Sequence, residues 1–248
     1  MASHKKQTAE SPVWETVSVV IQALILALIL RTFLFQPFNI PSGSMKPTLL
    51  VGDYIFVSKY SYGYSRYSLP FGPNIFSGRI WGADPLRGDV VVFKYPPDPS
   101  KDYIKRVIGL PGDKVQIQNS TIIINGQPVR REATGTFSET DMGVTLSAQS
   151  FRETLDSGIS YTALDINTRP GNLVDNTPVF EVPQGHFFFL GDNRDNSLDS
   201  RFDVGFVPSE NLVGKAQVIF LSLEDGIPAW QFWRWPDKMR WDRLFTGL

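Results

Sequence analysis

Apolar residues fall along this chain in one long run and many short ones. Residues 16–35 read TVSVVIQALILALILRTFLF, twenty positions with Arg31 as the only charge. That is the length a helix needs to cross ~30 Å of hydrocarbon. The pattern predicts one transmembrane helix over residues 16–36, following a polar tail over 1–15. A cleavable leader would end in small residues, whereas this run continues into the bulky RTFLFQPFNIP, so a retained anchor is the reading. Arg31 lies near the far end, where its stem can snorkel to the headgroups. Lys5 and Lys6 before the run are matched by Arg31 and Lys46 after it, so local charge does not orient the span.

Beyond the anchor, short β-branched and aromatic runs recur at 54–57, 90–95, 103–108, 115–117, 122–124, 187–190 and 216–221, and each predicts a strand. Turns are marked at Pro111-Gly112 and at Asn125-Gly126, the second closing a hairpin. Between 115 and 183 the composition becomes more polar and the apolar runs thin out, which predicts an inserted smaller β-containing subdomain rather than more core. The fold class expected is therefore mainly β: a membrane-anchored, β-rich domain built from 37–114 and 184–223 around that insertion. The tyrosine-rich stretch 60–70 reads as a loop. In the last segment, 224–248, four of the six tryptophans stand among Arg234, Lys238, Arg240 and Arg243. Such a mixture suits either a water-bilayer interface or a cap on the β core.

Composition then removes several chemistries. A net charge of -1 over 248 residues gives no basic field, so no nucleic-acid partner is expected. The absence of cysteine excludes disulfides, thiolate catalysis and cysteine-held zinc. Of the two histidines, His4 lies in the polar tail and His186 opens an apolar strand, which disfavours a Ser-His-Asp triad and a catalytic zinc site. Asp192, Asp195, Asp199 and Asp203 crowd into one loop, but an EF-hand starting at Asp192 would place Arg194 at its third position, and one starting at Asp195 would lack the glycine at its sixth. Neither metal nor cofactor is expected.

Three segments join turn residues to hydroxyls or amines beside apolar runs: IPSGSMKPTL at 40–49, YIKRVIGLPGD at 103–113 and GDNRDNSLDSR at 191–201. In this order after a membrane anchor, and with GDVVVFKYP at 88–96, the chain resembles bacterial type I signal peptidases from the anchor through Leu221. The resemblance implies that Ser44 is the nucleophile and Lys105 its general base. It implies that the Ser42 hydroxyl and the Ser44 N–H stabilise the oxyanion, and that Ser197 hydrogen-bonds and orients the Lys105 amine. Asp192, Asp199 and Arg201 match positions that support the site through ion pairs and hydrogen bonds, while Lys46 has no catalytic counterpart and is expected to be solvated near the bilayer. Family substrates with small residues at P1 and P3 imply shallow apolar pockets, for which Ile40, Pro41 and Tyr103 are the candidates.

An ordinary lysine leaves only roughly one amine in a thousand neutral near pH 7, so the base requires burial against apolar walls. Strand alternation would send the neighbouring Arg106 to the other face. The implied partners are exported preproteins and the lipid bilayer, with the enzyme acting as a monomer in the bacterial inner membrane and its catalytic domain outside the cytoplasm. A maturation peptidase of a dedicated secretion or conjugation system shares the same chemistry. A self-cleaving repressor would carry a DNA-binding amino terminus where this chain has a membrane helix, and a non-catalytic binding module would be free to lose Ser44 or Lys105.

Overall fold

A computed structural model describes residues 12–141, 144–166, 174–224, 227–228 and 230–248. The chain opens with helix α1 (Pro12–Phe33), which Glu15 begins and Arg31 ends with charges that complement its dipole. Residues 13–33 are long and apolar enough to cross a membrane. Apart from Thr32 and Phe33 at its end the span is bare of protein, with Leu24 65% and Leu26 57% exposed, so it requires another apolar medium. The helix ends three residues short of the expected 36. Pro37 disfavours helical backbone at Gln36, and the chain turns instead into β1 (Phe35–Asn39), which pairs antiparallel with β2 (Asp53–Ser58).

The main sheet continues through β3 (Val90–Lys94) and β4 (Asp102–Gly109). An insertion follows, with β5 (Lys114–Gln118), β6 (Thr121–Ile124), β7 (Gln127–Pro128), β8 (Arg130–Asp141), β9 (Val144–Thr154), β10 (Ser160–Asp165) and β11 (Phe180–Glu181). The chain returns as β12 (His186–Leu190), β13 (Val207–Pro208) and β14 (Leu212–Ser222). The seven-stranded order is β1-β2-β14-β3-β4-β12-β13, and its recorded pairings are antiparallel. Register shifts along β14, against both β2 and β3, add local twist and curl the sheet.

Both faces of β3 and β12 are covered. Val90 and Val92 join Ile40, Met45 and Ile55 in one cluster, while Val91 and Phe93 join Phe187 and Phe189 in another. Strands buried on both faces read as continuous apolar runs, which accounts for VVVF and FFFL.

The insertion forms two sheets, β11-β5-β6-β7 and β10-β9-β8. Asn125 and Gly126 adopt φ of 53° and 79°, the left-handed pair of a tight hairpin turn. The expectation that 115–183 adds no core is corrected. Val115, Ile122, Leu155 and Ala163 share one cluster with Ile108, Phe188 and Leu190 of the main sheet, because alternation in β5 and β6 directs one apolar face inward. The carboxy-terminal segment docks through Arg243, which pairs with Asp53 at 2.5 Å and donates to the Thr48 carbonyl. Trp230, Trp233 and Trp241 are each about 60% exposed or more, so they do not cap the core.

Candidate active site

Ser44 sits in a single 3₁₀ turn, Gly43–Met45, just after β1. Met45 and Ile40 are buried in the core on either side of it and fix the turn against the sheet. From the loop after β12, Asn193 clamps the same turn: its N–H donates to the Ser44 carbonyl at 3.1 Å and its side-chain amide to the Gly43 carbonyl at 3.0 Å.

Lys105, on β4, reaches this turn because the curled sheet brings β4 across to the end of β1. Its Nζ donates to Ser44 Oγ at 2.6 Å and to the Ile104 carbonyl at 2.8 Å. Lys105 is 4% exposed and Ser44 7% exposed. Burial lowers the amine's pKa from 10.5 to about 8, against the opposing pull of the Asp199 and Asp192 carboxylates. Tyr103, two residues earlier on the same face, holds its ring 5.5 Å from the amine. Ser42 Oγ lies 3.5 Å from Ser44 Oγ. These groups border a cleft of about 540 Å³ that also meets Pro41, Ile104, Leu198 and Phe202. A desolvated amine bonded to a serine hydroxyl beside an open cleft is the arrangement of a nucleophile with its base.

The family model described as signal peptidase, peptidase S26, matches residues 13–221. The chain belongs to this family. Signal peptidase I of Rickettsia prowazekii (strain Madrid E) is 43% identical over 242 residues, covering 91% of this chain and 90% of that protein. Signal peptidase I of Rickettsia akari (strain Hartford) is 42% identical over 267 residues, covering 99% and 96% respectively. The chain is therefore a serine peptidase of the signal peptidase class, acting on preproteins at a membrane.

In this signal peptidase the supporting residues fall into separate ion pairs. Arg106, on the opposite face of β4 from Lys105, grips Asp192 with bonds of 2.8 and 2.6 Å, and Thr48 donates to the same carboxylate at 2.6 Å. Asp199 pairs with Arg201 at 2.8 Å and accepts from the Gly191 N–H at 3.0 Å. Asp195 Oδ2 accepts from the Ile166 N–H at 2.6 Å. The aspartates that crowd in sequence thus serve different contacts.

Three expectations are corrected. Ile40 does not border the cleft, because alternation along the strand end turns it into the core while Pro41 faces out. The bond from Ser197 to Lys105 is not formed. Ser197 Oγ borders the cleft, buried without a hydrogen-bond partner among the described residues, and is turned toward Gly191, whose missing side chain leaves room for it. Lys46 is not simply solvated, since its amine pairs with Glu139 at the far end of β8.

Two residues of the site have no counterpart among the expectations: Asn193, and Arg194, whose buried guanidinium binds Glu153 of β9 at 2.9 and 2.5 Å and the Gly191 carbonyl at 3.1 Å. Glu153 stands in a polar strand that carries no motif, so nothing local marks it as the partner of Arg194. The one available signal was that Arg194 sits in the same segment as Ser197.

Proposed function

We propose that Ser44 and Lys105 form the catalytic dyad of this peptidase. The contact of 2.6 Å between a buried Lys105 amine and Ser44 Oγ carries the reading. In the neutral amine, the nitrogen lone pair accepts the Ser44 proton as Oγ bonds to the substrate carbonyl carbon. The carbonyl oxygen becomes an oxyanion, for which the Ser44 N–H and the Ser42 hydroxyl are the donors, a contribution of ~3 kcal/mol for such a group. Collapse breaks the C–N bond, and the Lys105 ammonium returns its proton to the leaving amine. Water repeats the sequence on the acyl-enzyme and restores Ser44.

Pro41 and Tyr103 flank the position of a small P1 side chain. We place the catalytic domain on the extracytoplasmic side, where the cleavage sites of exported preproteins emerge, and read the enzyme as a monomer with 115–183 as an insertion that buttresses the cleft.

The test is cleavage of a preprotein by detergent-solubilised protein. Ser44→Ala and Lys105→Ala are each expected to lower kcat/KM by a factor on the order of 10⁴ or more. Full activity in either variant overturns the dyad. Undiminished cleavage of a substrate with a bulky P1 residue overturns the pocket.

A further inference from the structure

At the end of α1, a second cavity of about 570 Å³ opens between the helix, β1, β3 and the 66–72 turn. Four cations reach its walls, Arg31, Lys59, Arg66 and Lys94, against one carboxylate, Asp102. Two of the four are paired: Lys94 with Asp102 at 2.9 Å, and Arg66 with Glu210 at 2.9 Å. Among the described residues Arg31 and Lys59 have no carboxylate within ion-pair distance.

Lys59 is the unusual member. It is 3% exposed, and its ammonium donates to a single recorded acceptor, the Ser68 carbonyl, at 2.8 Å. Its backbone N–H donates to the Leu34 carbonyl at the helix end, so the residue is fixed at that junction. Burial and then the nearby Arg31 lower its pKa from 10.5 to about 8. A buried ammonium facing other cations is electrostatically incomplete, and an anion with several acceptor oxygens would complete it.

The position of the cavity selects the anion. Arg31 belongs to the last turn of the apolar span, so the cavity lies where the helix leaves hydrocarbon, at headgroup depth. On the rim stands Phe71, fully exposed in a left-handed turn with φ of 63° at Phe71 and 56° at Gly72. An exposed phenyl beside cations matches a ligand whose charged phosphate adjoins acyl chains. We propose that this cavity binds the phosphodiester of an anionic phospholipid headgroup, with Lys59 and Arg31 as its principal ligands. A zwitterionic lipid has the same phosphate but brings its own ammonium, and the surplus of positive charge disfavours it. Asp102 borders both this cavity and the active-site cleft, so the bound lipid sits directly beside the substrate path.

The test uses the full chain in detergent without substrate, so its outcome is separate from that of the catalytic dyad. Phosphatidylglycerol and phosphatidylcholine are added in equal amounts, and retained lipid is counted by native mass spectrometry. The parent is expected to retain one phosphatidylglycerol in preference, and Arg31→Gln and Lys59→Gln each to weaken that retention about tenfold. Circular dichroism checks each variant's fold, and Lys59→Arg, which keeps the charge, is expected to retain the lipid if Lys59→Gln does not fold. Equal retention of the two lipids by the parent, or undiminished retention in Arg31→Gln, overturns the proposal. Displacement of the lipid by an equal concentration of inorganic phosphate identifies a free-phosphate site instead and likewise overturns it.

Discussion

As the base of the proposed dyad, Lys105 would exert opposite effects on activity and on stability. With a pKa near 8, roughly one amine in ten is neutral at pH 7, a gain of more than a hundredfold over an ordinary lysine. The base works only when unprotonated, so kcat/KM is expected to rise with pH through about 8 and then level off. A profile flat from about pH 6 to 9 would sink this assignment. For stability the sign follows from proton counts. The folded pKa lies below the unfolded value near 10.5, so between about 8 and 10.5 the unfolded chain holds more protons, and stability rises with pH across that window. Below it, the buried amine costs about 3 kcal/mol. Lys105→Met is accordingly expected to abolish activity yet stabilise the fold by about 2 kcal/mol near pH 7, the gap closing near pH 10. Denaturant unfolding at the two pH values checks this, and a variant less stable than the parent at both contradicts it.

At the scale of elements, the loop between β12 and β13 positions the site. A Cβ at Gly191 would lie 2.2 Å from Ser197 Oγ and 2.6 Å from the Ser44 carbonyl oxygen. Gly191→Ala must therefore displace the Ser44 turn, and, with Ser44 as the proposed nucleophile, a loss of about a hundredfold in kcat is expected from a shift of that size. The same loop is held to the insertion by Arg194 and Glu153, buried at 6% and 1% exposure. Removing one partner strands a buried charge, so Glu153→Gln is expected to cost about 3–5 kcal/mol by thermal or denaturant unfolding. Replacing both with Met should recover much of that loss.

These elements also mark what the sequence discloses. The strands with apolar runs, the Asn125-Gly126 turn and the residues of the Ser44 and Lys105 motifs are legible because local pattern or resemblance specifies them. The 2.6 Å contact is not, since it joins positions 61 residues apart through the curl of a sheet. Strands β8 and β9 escape notice because they pair within the small sheet β10-β9-β8 and their inward positions include charged and small residues such as Glu153 and Ala148, which leaves no apolar alternation to read. Ile40 turns into the core although it stands close to Ser44 in sequence, because adjacency does not decide which face a side chain takes. Ser197 kept its place in the cleft but not its bond, since a rotamer is decided by local space at Gly191.

For the whole molecule, the question is whether α1 tethers the enzyme or forms part of its fold. Among the described residues its contacts with the β domain gather at its end: Thr32 is buried, Tyr64 donates to the Phe33 carbonyl, the Phe33 and Tyr64 rings meet edge to face at 5.6 Å, and just beyond the helix the Leu34 carbonyl accepts from the Lys59 N–H. Strand β1 begins at Phe35 and keeps its full pairing with β2 without the helix. The exposed Trp230, Trp233 and Trp241 give the β domain a second apolar and aromatic surface suited to the interface. A chain beginning at Phe35 should thus fold, with a stability loss on the order of 1 kcal/mol for the missing contacts. Its chemistry should persist, with kcat/KM on a short soluble peptide within about threefold of the parent. Against a preprotein inserted in vesicles the result should differ, because the anchor converts an encounter from solution into one confined to the membrane surface. The loss expected there is about a hundredfold. Measuring both substrates separates the two roles of the helix. Equal losses on peptide and preprotein would mean that α1 supports the cleft itself, and a loss confined to the preprotein means that the membrane, through α1, supplies proximity.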